Sequence, residues 1–387
     1  MMLGYLLGRS GIKTVVLEKH ADFFRDFRGD TVHPSTMQVM QELGLLDDFL
    51  KIPHQKLIHM QGLFGATPIR IADLSRLKTP CSFIALMPQW DFLNFLETKG
   101  ARFPVLQIMK STEATELVRD SQRITGVVAA TAQGPLRISV DLTVACDGRH
   151  SILREQAGLK IEDIGAPIDV LWFRVGKRKI DSDGVFARLQ RGQMMVTIDR
   201  DDYWQCAYVI AKGKVDDIKA RGIDAFRKNV ASLVPILREH IADVRGWDDV
   251  KLLTVRIDRL AQWALPGLLC IGDAAHAMSP VGGVGVNLAV QDAVAAANIL
   301  FDKFGAGGPS LADLESVQQR RLFPTRMTQT MQTIIQDRII NRALSGEDLT
   351  PPFAARLINA VPWLQGLTAR LLGIGVRPEH IHSVELN

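Results

Sequence analysis

Apolar positions change their period repeatedly along the 387-residue chain. Tyr5 to Arg9 reads as the end of a helix closed by Gly11 in a C-cap position. Lys13 to Leu17 (KTVVL) is a short buried strand ended by Glu18. Helical spacing returns at Ser35 to Leu43, with Pro34 at its start and Gly44 as its stop. Between Leu57 and Ile84, alternating runs broken by Gly62, Gly65, Pro68 and Pro80 predict antiparallel strands, and Trp90 to Lys99 is helical. Val127 to Ala130, Leu136 to Val140 and Leu142 to Ala145 predict three strands, with a turn at Gln133-Gly134-Pro135. Asp169 to Ile210 is strand-rich and Val215 to Ile241 helical. Lys251 to Ile257 and Leu268 to Ile271 are strands, Leu288 to Phe304 is a long helix, and the remainder to about Leu372 is mostly helical. The order αβ, β, αβ, β, αβ predicts an α/β chain that passes several times between two joined domains.

Composition narrows the classes without naming one. Hydrophobic residues at 47% and charged residues at 23% are ordinary for a soluble globular protein. The net charge of +4 arises from 46 basic and 42 acidic residues with no basic block, which argues against a nucleic-acid partner. A mild positive balance still suits an anionic cofactor such as NADPH. The four cysteines form no C-x-x-C pair and have no histidine at metal-ligand spacing, so no metal site is expected. Cys146 and Cys270 lie in apolar runs and are expected to be buried free thiols. No secretory signal and no run of roughly 18 to 20 apolar residues is evident, so a cytoplasmic location is expected. In Phe353 to Val376 apolar residues recur at helical spacing with only Arg356 and Arg370 charged. A helix packed on the catalytic domain is the favoured reading there, and a basic amphipathic tail on a lipid surface is the alternative.

The densest chemical signal is Leu268 to Asn287, LLCIGDAAHAMSPVGGVGVN. A buried strand delivers Gly272-Asp273, where glycine permits close backbone approach and the carboxylate can accept hydroxyl hydrogen bonds from a ribityl or ribose chain. Pro280 forces a turn. Gly282, Gly283 and Gly285 then leave backbone N–H groups unobstructed at the start of a helix running on from Val286 and Asn287. A helix N-terminus stabilises an anion, and the N1–C2=O edge of a reduced isoalloxazine is a matching one. Gly-Asp alone reads as a plain glycine-rich turn; the full order of strand, GDAAH, proline, GGVGVN and helix favours flavin.

With these motifs the chain resembles the class A flavoprotein monooxygenases, the p-hydroxybenzoate hydroxylase family of FAD enzymes. The likeness runs over most of the chain, firmest from Leu268 to Leu300 and weak beyond Ser310. CDGRHSILR at Cys146 to Arg154 matches the family's Asp-Gly motif, which implies pyrophosphate-side roles for Asp147 and Gly148, with Arg154 in the helix after the turn. A surface turn capped by Asp147 is the plain alternative. Glu18, with Lys19 beside it, matches the acidic end of the second Rossmann strand, where a carboxylate bonds the adenosine ribose. Arg28 corresponds to an arginine near the FAD phosphate or ribityl chain, and Gln89 to a polar residue on the ribityl chain. Pro280 would border flavin C4a. His276 is expected to pack and bond a loop carbonyl. The resemblance implies a Rossmann-like FAD-binding domain at 1–56, 88–165 and 257–310 interleaved with a mostly antiparallel substrate domain at 57–87 and 166–256. A helical region at 311–387 follows.

One departure stands out. The family's first strand and G-x-G-x-x-G turn, about 15 to 20 residues, would lie ahead of Met1. A start assigned at an internal methionine, or a truncated chain with impaired FAD binding, is the expectation. On the substrate side, Trp172, Arg174, Met194 and Trp204 offer aromatic and apolar surface suited to a flat aromatic or polycyclic molecule, although plain sheet packing explains the same pattern. No hydrolytic triad or carboxylate pair is evident. The resemblance therefore implies an NAD(P)H-consuming FAD monooxygenase that hydroxylates an aromatic or quinone-like small molecule with O2 through a C4a-hydroperoxyflavin, NADPH or NADH docking transiently. An FAD-dependent reductase or oxidase on the same scaffold is the alternative, and a cofactor-free chain binding an aromatic ligand is the non-enzyme reading.

Overall fold

Seven of the eight residues of the helix Met2–Arg9 are buried. Its two glycines let it lie close on the strands: a Cβ at Gly4 would stand 2.5 Å from Val16 Cγ2, and one at Gly8 3.0 Å from Leu106 Cβ. The computed structural model describes residues 1–24, 31–178, 187–190, 192–304, 307–346 and 350–386, apart from the Arg342 side chain. After Gly11, whose φ of +73° only glycine adopts readily, Thr14–Leu17 pairs in parallel with Leu106–Met109. Thr143–Ala145 pairs in parallel with Leu268–Cys270. The helix Gly285–Leu300 packs on Met2–Arg9 and on the turn that follows Leu268–Cys270. Ligands of open α/β sheets bind beyond the C-terminal ends of such parallel strands. Val281–Leu300 is the one stretch among the described residues long and apolar enough to cross a bilayer, and it is mostly buried as a core helix.

A seven-stranded sheet drawn from 59–73 and 168–253 makes the second layer. Its strands run in the order Lys251–Leu253, Ile168–Gly176, Tyr203–Ala211, Gln193–Asp199, Ala187–Gln190, His59–Phe64, Thr67–Asp73. All pairs are antiparallel except Ala187–Gln190 with His59–Phe64. Side chains alternate across a sheet, and here both faces are covered. Leu171, Phe173, Trp204, Cys206 and Tyr208 pack against Phe226, Val230 and Leu233 of the helix Ile223–Leu233. Val170, Ala207 and Val209 face the other way, with Trp172, Met194 and Val196 beside them and Val281, Ile335 and Ile340 opposite.

Three expectations change. The predicted helix from Val215 to Ile241 is two helices, Val215–Ala220 and Ile223–Leu233, divided at Gly222 with φ of +84°. Glu113–Asp120 is a strand that the sequence pattern did not signal. The tail is two helices, Phe353–Ala360 and Pro362–Gly373, broken where Pro362 opens the second. Both pack on the strand Thr67–Asp73, and the Thr368 hydroxyl donates to Ile71 O.

Candidate cofactor and substrate site

A cavity of about 630 Å³ lies between the two layers. Its floor is built from four separate parts of the chain: Met1 to Leu3, Gln89, Cys146 with Gly148 and Arg149, and Gly272 to Val286 in part. Gln89 is there because it opens the helix Gln89–Gly100. Gly148 has φ of +86°, and no atom lies within 4 Å of where its Cβ would stand, so any side chain would project into open space. At Gly285 the nearest atoms to a Cβ are Met278 Cβ at 3.9 Å and Asp273 Oδ1 at 4.0 Å. The floor is thus kept thin by glycine where a ligand can approach backbone.

Two helix starts point into this space. In Gly285–Leu300 the Leu288 N–H donates to Val284 O at 2.9 Å, so the N–H groups of Gly285, Val286 and Asn287 precede the first intrahelical bond. In Met2–Arg9 the corresponding bond runs from Tyr5 N to Met1 O at 2.9 Å. Arg149 Nη2 lies 3.4 Å from Asp273 Oδ2, setting one cation and one carboxylate in the wall.

The loop carrying Pro280 is fixed from behind. Gln332 donates to Ser279 O and Val281 O, both at 2.9 Å, and accepts from Ser279 N at 3.1 Å. Gln329 donates to Ala277 O at 3.2 Å and Asp258 O at 2.8 Å, and Gln336 to the Ser279 hydroxyl at 2.5 Å. These three glutamines share one face of a continuous helical path, and none was singled out from the sequence. The signal was their spacing of three and four residues in an otherwise ordinary polar helix. Thr31 adds a clasp from the front, donating to Gly283 O at 2.7 Å.

Residues 1–331 match a family model described as an FAD binding domain. The chain belongs to this family, the class A FAD-dependent aromatic monooxygenases. It is accordingly an FAD-dependent oxidoreductase of the monooxygenase kind. The 6-methylpretetramide 4-monooxygenase of Streptomyces rimosus is 26% identical over 378 residues, covering 96% of this chain and 89% of that protein. The para-nitrophenol 4-monooxygenase of a Pseudomonas species is 25% identical over 336 residues, 82% of this chain and 79% of its own. The solved structure of OxyS anhydrotetracycline hydroxylase from Streptomyces rimosus aligns with a TM-score of 0.74 at 19% identity. It covers 97% of this chain and 74% of that one, a likeness of fold.

The cavity, with its glycine-thinned floor, would accommodate an FAD. Gln89, Gly148, Gly272, Asp273, Pro280, Gly282, Gly283, Gly285 and Val286 all line it. Others do not. The Asn287 amide is engaged elsewhere: its Oδ1 accepts from His33 N at 2.8 Å and Thr36 Oγ1 at 2.7 Å, and its Nδ2 donates to Thr31 O and Gly283 O. Asn287 therefore staples the glycine-rich loop to the segment from Thr31 to Thr36, at the start of Pro34–Glu42. Asp147 is exposed just outside the lining, 3.4 Å from Leu153 N. Glu18 closes its strand and accepts from His20 N at 2.9 Å, while Lys19 pairs at the surface with Glu113 at 3.6 Å. Neither lines the cavity. Arg28 lies outside the described residues. Arg154 is buried, bonded to Ala274 O at 3.2 Å and facing Asp258 at 3.4 Å, so it braces the two motifs against each other.

Cys146 corrects an expectation. Unlike buried Cys270, it opens onto the cavity, and the dense surroundings of its thiol push the pKa up to about 11. It stays a neutral thiol at physiological pH. His276 also differs: its Nε2 meets a carboxylate, Asp292 Oδ2, at 2.6 Å. Asp292 further accepts from Gly272 N at 3.0 Å and from Arg321 Nε at 2.9 Å. Desolvation favours the neutral acid there, yet the charges and hydrogen bonds of His276 and Arg321 outweigh it and hold the carboxyl below its usual range.

The roof of the cavity is apolar. Of the four sheet residues expected there, Trp172 and Met194 line it. Trp204 does not: it pairs with Val175 across the ladder and so lies on the helix-covered face, under the ammonium of Lys177. Arg174 is exposed beyond the lining, its guanidinium 5.0 Å from the Tyr203 ring centroid. Among the lining residues that sequence reasoning missed are Ile335, Ile339 and Ile340, brought in where the helix Leu311–Ile335 runs into the π-helical turn Gln336–Ile340. Such turns rotate side chains off the regular helical face.

Proposed function

We propose that this protein is an NAD(P)H-consuming monooxygenase that hydroxylates an aromatic or quinone-like small molecule. One observation carries the reading: the glycine-walled floor and the apolar roof belong to a single cavity of about 630 Å³. FAD, when bound, supplies reduction by a nicotinamide nucleotide and the transfer of one oxygen atom from O2. The chain's own residues do the rest. Gln89, Asp273 and the N–H groups at the start of Gly285–Leu300 would orient the cofactor, and that helix start favours negative charge on the ring. Gly148 in the lining, with Glu18, Lys19 and Asp147 outside it, would serve the adenosine and diphosphate end where the cofactor extends beyond the cavity. Trp172, Met194 and the isoleucines around Ile339 present flat apolar surface and exclude water, which protects a reactive oxygen species from decay.

Among the described residues, the ionisable side chains in the lining are Cys146, Arg149 and Asp273, all on the floor. Substrate is then positioned by shape and apolar contact more than by charge. A cytoplasmic setting agrees with four free cysteines. The test is flavin content, followed by NADH or NADPH oxidation with a panel of phenols and polycyclic quinones. The expected result is bound flavin, substrate-stimulated O2 uptake and a product heavier by one oxygen atom. Reduced-nucleotide oxidation that never yields an oxygenated product overturns it.

A further inference from the structure

The two tail helices have an inner and an outer side. Ala355 faces inward and lines the cavity. Outward, Phe353 is 72% exposed and Trp363 66%, with Leu357, Leu367 and Leu371 exposed in the same run. The neighbouring helix Leu311–Ile335 exposes Phe323, Met327 and Ile334 along one stripe. The C-terminal end of Pro362–Gly373 approaches this helix, since Met331, Ile335, Leu371 and Ile374 all line one small void of about 60 Å³. Scattered exposed apolar residues are normal on a protein surface, but five on two consecutive short helices, a phenylalanine and a tryptophan among them, mark a contact face.

Among the described residues the charges around this face are mostly basic. Arg326, Arg338, Arg356, Arg370 and Arg377 are exposed on these elements, and Arg377 covers the Phe323 ring at 4.5 Å. Against them stands Asp337 among the described residues of 323–378. Two such faces would repel each other, which disfavours a second copy as the occupant. An anionic surface that also accepts apolar side chains is complementary to both features.

We propose that this face docks on the surface of an anionic lipid bilayer, with Trp363 and Phe353 entering the headgroup boundary and the arginines pairing with lipid phosphates. The helix Phe353–Ala360 then separates the lipid from the cavity by its own width. Resting on the monooxygenase reading above, the device lets an apolar substrate pass from the membrane to the cavity roof without crossing water. The docking is peripheral, because the one apolar stretch of spanning length among the described residues is the buried core helix.

The test is co-sedimentation of the full-length, flavin-loaded protein with vesicles of phosphatidylcholine alone or mixed with phosphatidylglycerol. The protein is expected to pellet with the mixed vesicles, to release at high salt, and to pellet far less with the neutral ones. Trp363→Ser and Arg356→Gln/Arg370→Gln should each lower binding by on the order of tenfold. Both sites are exposed, so flavin content and melting temperature should hold and report on folding. No binding to anionic vesicles at low salt overturns the proposal. So does equal binding by the variants, or a dimer in sedimentation that Trp363→Ser dissolves. Vesicle binding is read without turnover, so its failure leaves the oxygenation assay intact, and the converse also holds.

Discussion

His33 has no exposed surface, donates through Nδ1 to Leu372 O at 2.8 Å, and has no partner at Nε2 among the described residues. Burial drives its pKa down to about 4, so the ring is neutral in the fold and gains a proton more readily once unfolded. A histidine lowered in this way leaves stability intact above about pH 6.5 and erodes it as pH falls from there toward 4. By pH 5 the loss should reach roughly 2 kcal/mol. His33→Asn keeps an N–H for Leu372 O and removes the titration. Urea midpoints at pH 7.5 and pH 5 should then differ less in the variant than in the parent, and an equal difference would show that the burial of His33 does not govern this window. Asp292 behaves oppositely. Its carboxyl is held below the ordinary range, so its contribution is present above about pH 4 and is lost as pH falls through the lowered value. Asp292→Ala strands buried Arg321 and the Gly272 N–H, and should lower unfolding free energy by about 3–5 kcal/mol at neutral pH.

At the scale of elements, the loop from Met278 to Val284 has no regular structure of its own beyond a single turn at Val281–Gly283, and takes its shape from neighbours. Gln332→Leu removes two donated bonds and one accepted bond, leaving Ser279 and Val281 groups unpaired. A loss of about 2–4 kcal/mol is expected, with unchanged far-ultraviolet circular dichroism, because secondary structure survives while the loop loosens. Equilibrium dialysis should show weaker flavin retention; unchanged retention would mean the glutamine bonds stabilise the helix and do nothing for the site. The loop itself was readable in the sequence, since glycine, proline and a following apolar helix leave little choice of local structure. Its support was not, because a glutamine at a helical position looks alike whether it faces water or a carbonyl. Trp204 fails for a related reason. Alternation says that it shares a face with Cys206 and Tyr208, but only the pairing of Trp172 with Ala207 says that this face lies opposite Trp172. Glu113–Asp120 was hidden because a strand with charge at both ends and a half-exposed middle has no apolar run to betray it.

Across the whole molecule, the cavity draws on residues near positions 1, 89, 146 and 280, so no local motif encloses it. Sequence patterns identified the pieces at Asp147-Gly148 and Gly272-Asp273 because each carries its own glycine and acidic signature; Gln89 came from the family resemblance, and Met1 to Leu3 were not singled out. Such patterns gave less of the roof, which depends on register and on where a helix changes pitch. That dispersal has a thermodynamic consequence. A ligand that binds only the assembled cavity stabilises the fold by RT ln(1 + [L]/Kd), about 2.7 kcal/mol at a hundredfold excess over Kd. FAD should therefore raise the melting temperature progressively with concentration. In hydrogen exchange, Met2–Arg9, the turn after Thr143–Ala145, and the Gly272 to Val286 segment should gain protection together, though they lie far apart in the chain. Asp273→Ala removes a floor carboxylate and its pairing with Arg149, and should shift the FAD dependence to higher concentration while leaving the cofactor-free melting temperature within about 1 °C, as expected for a partly exposed surface group. Protection confined to the Gly272 to Val286 segment would mean that FAD grips one wall only, and that the other floor pieces serve the fold and not the cofactor.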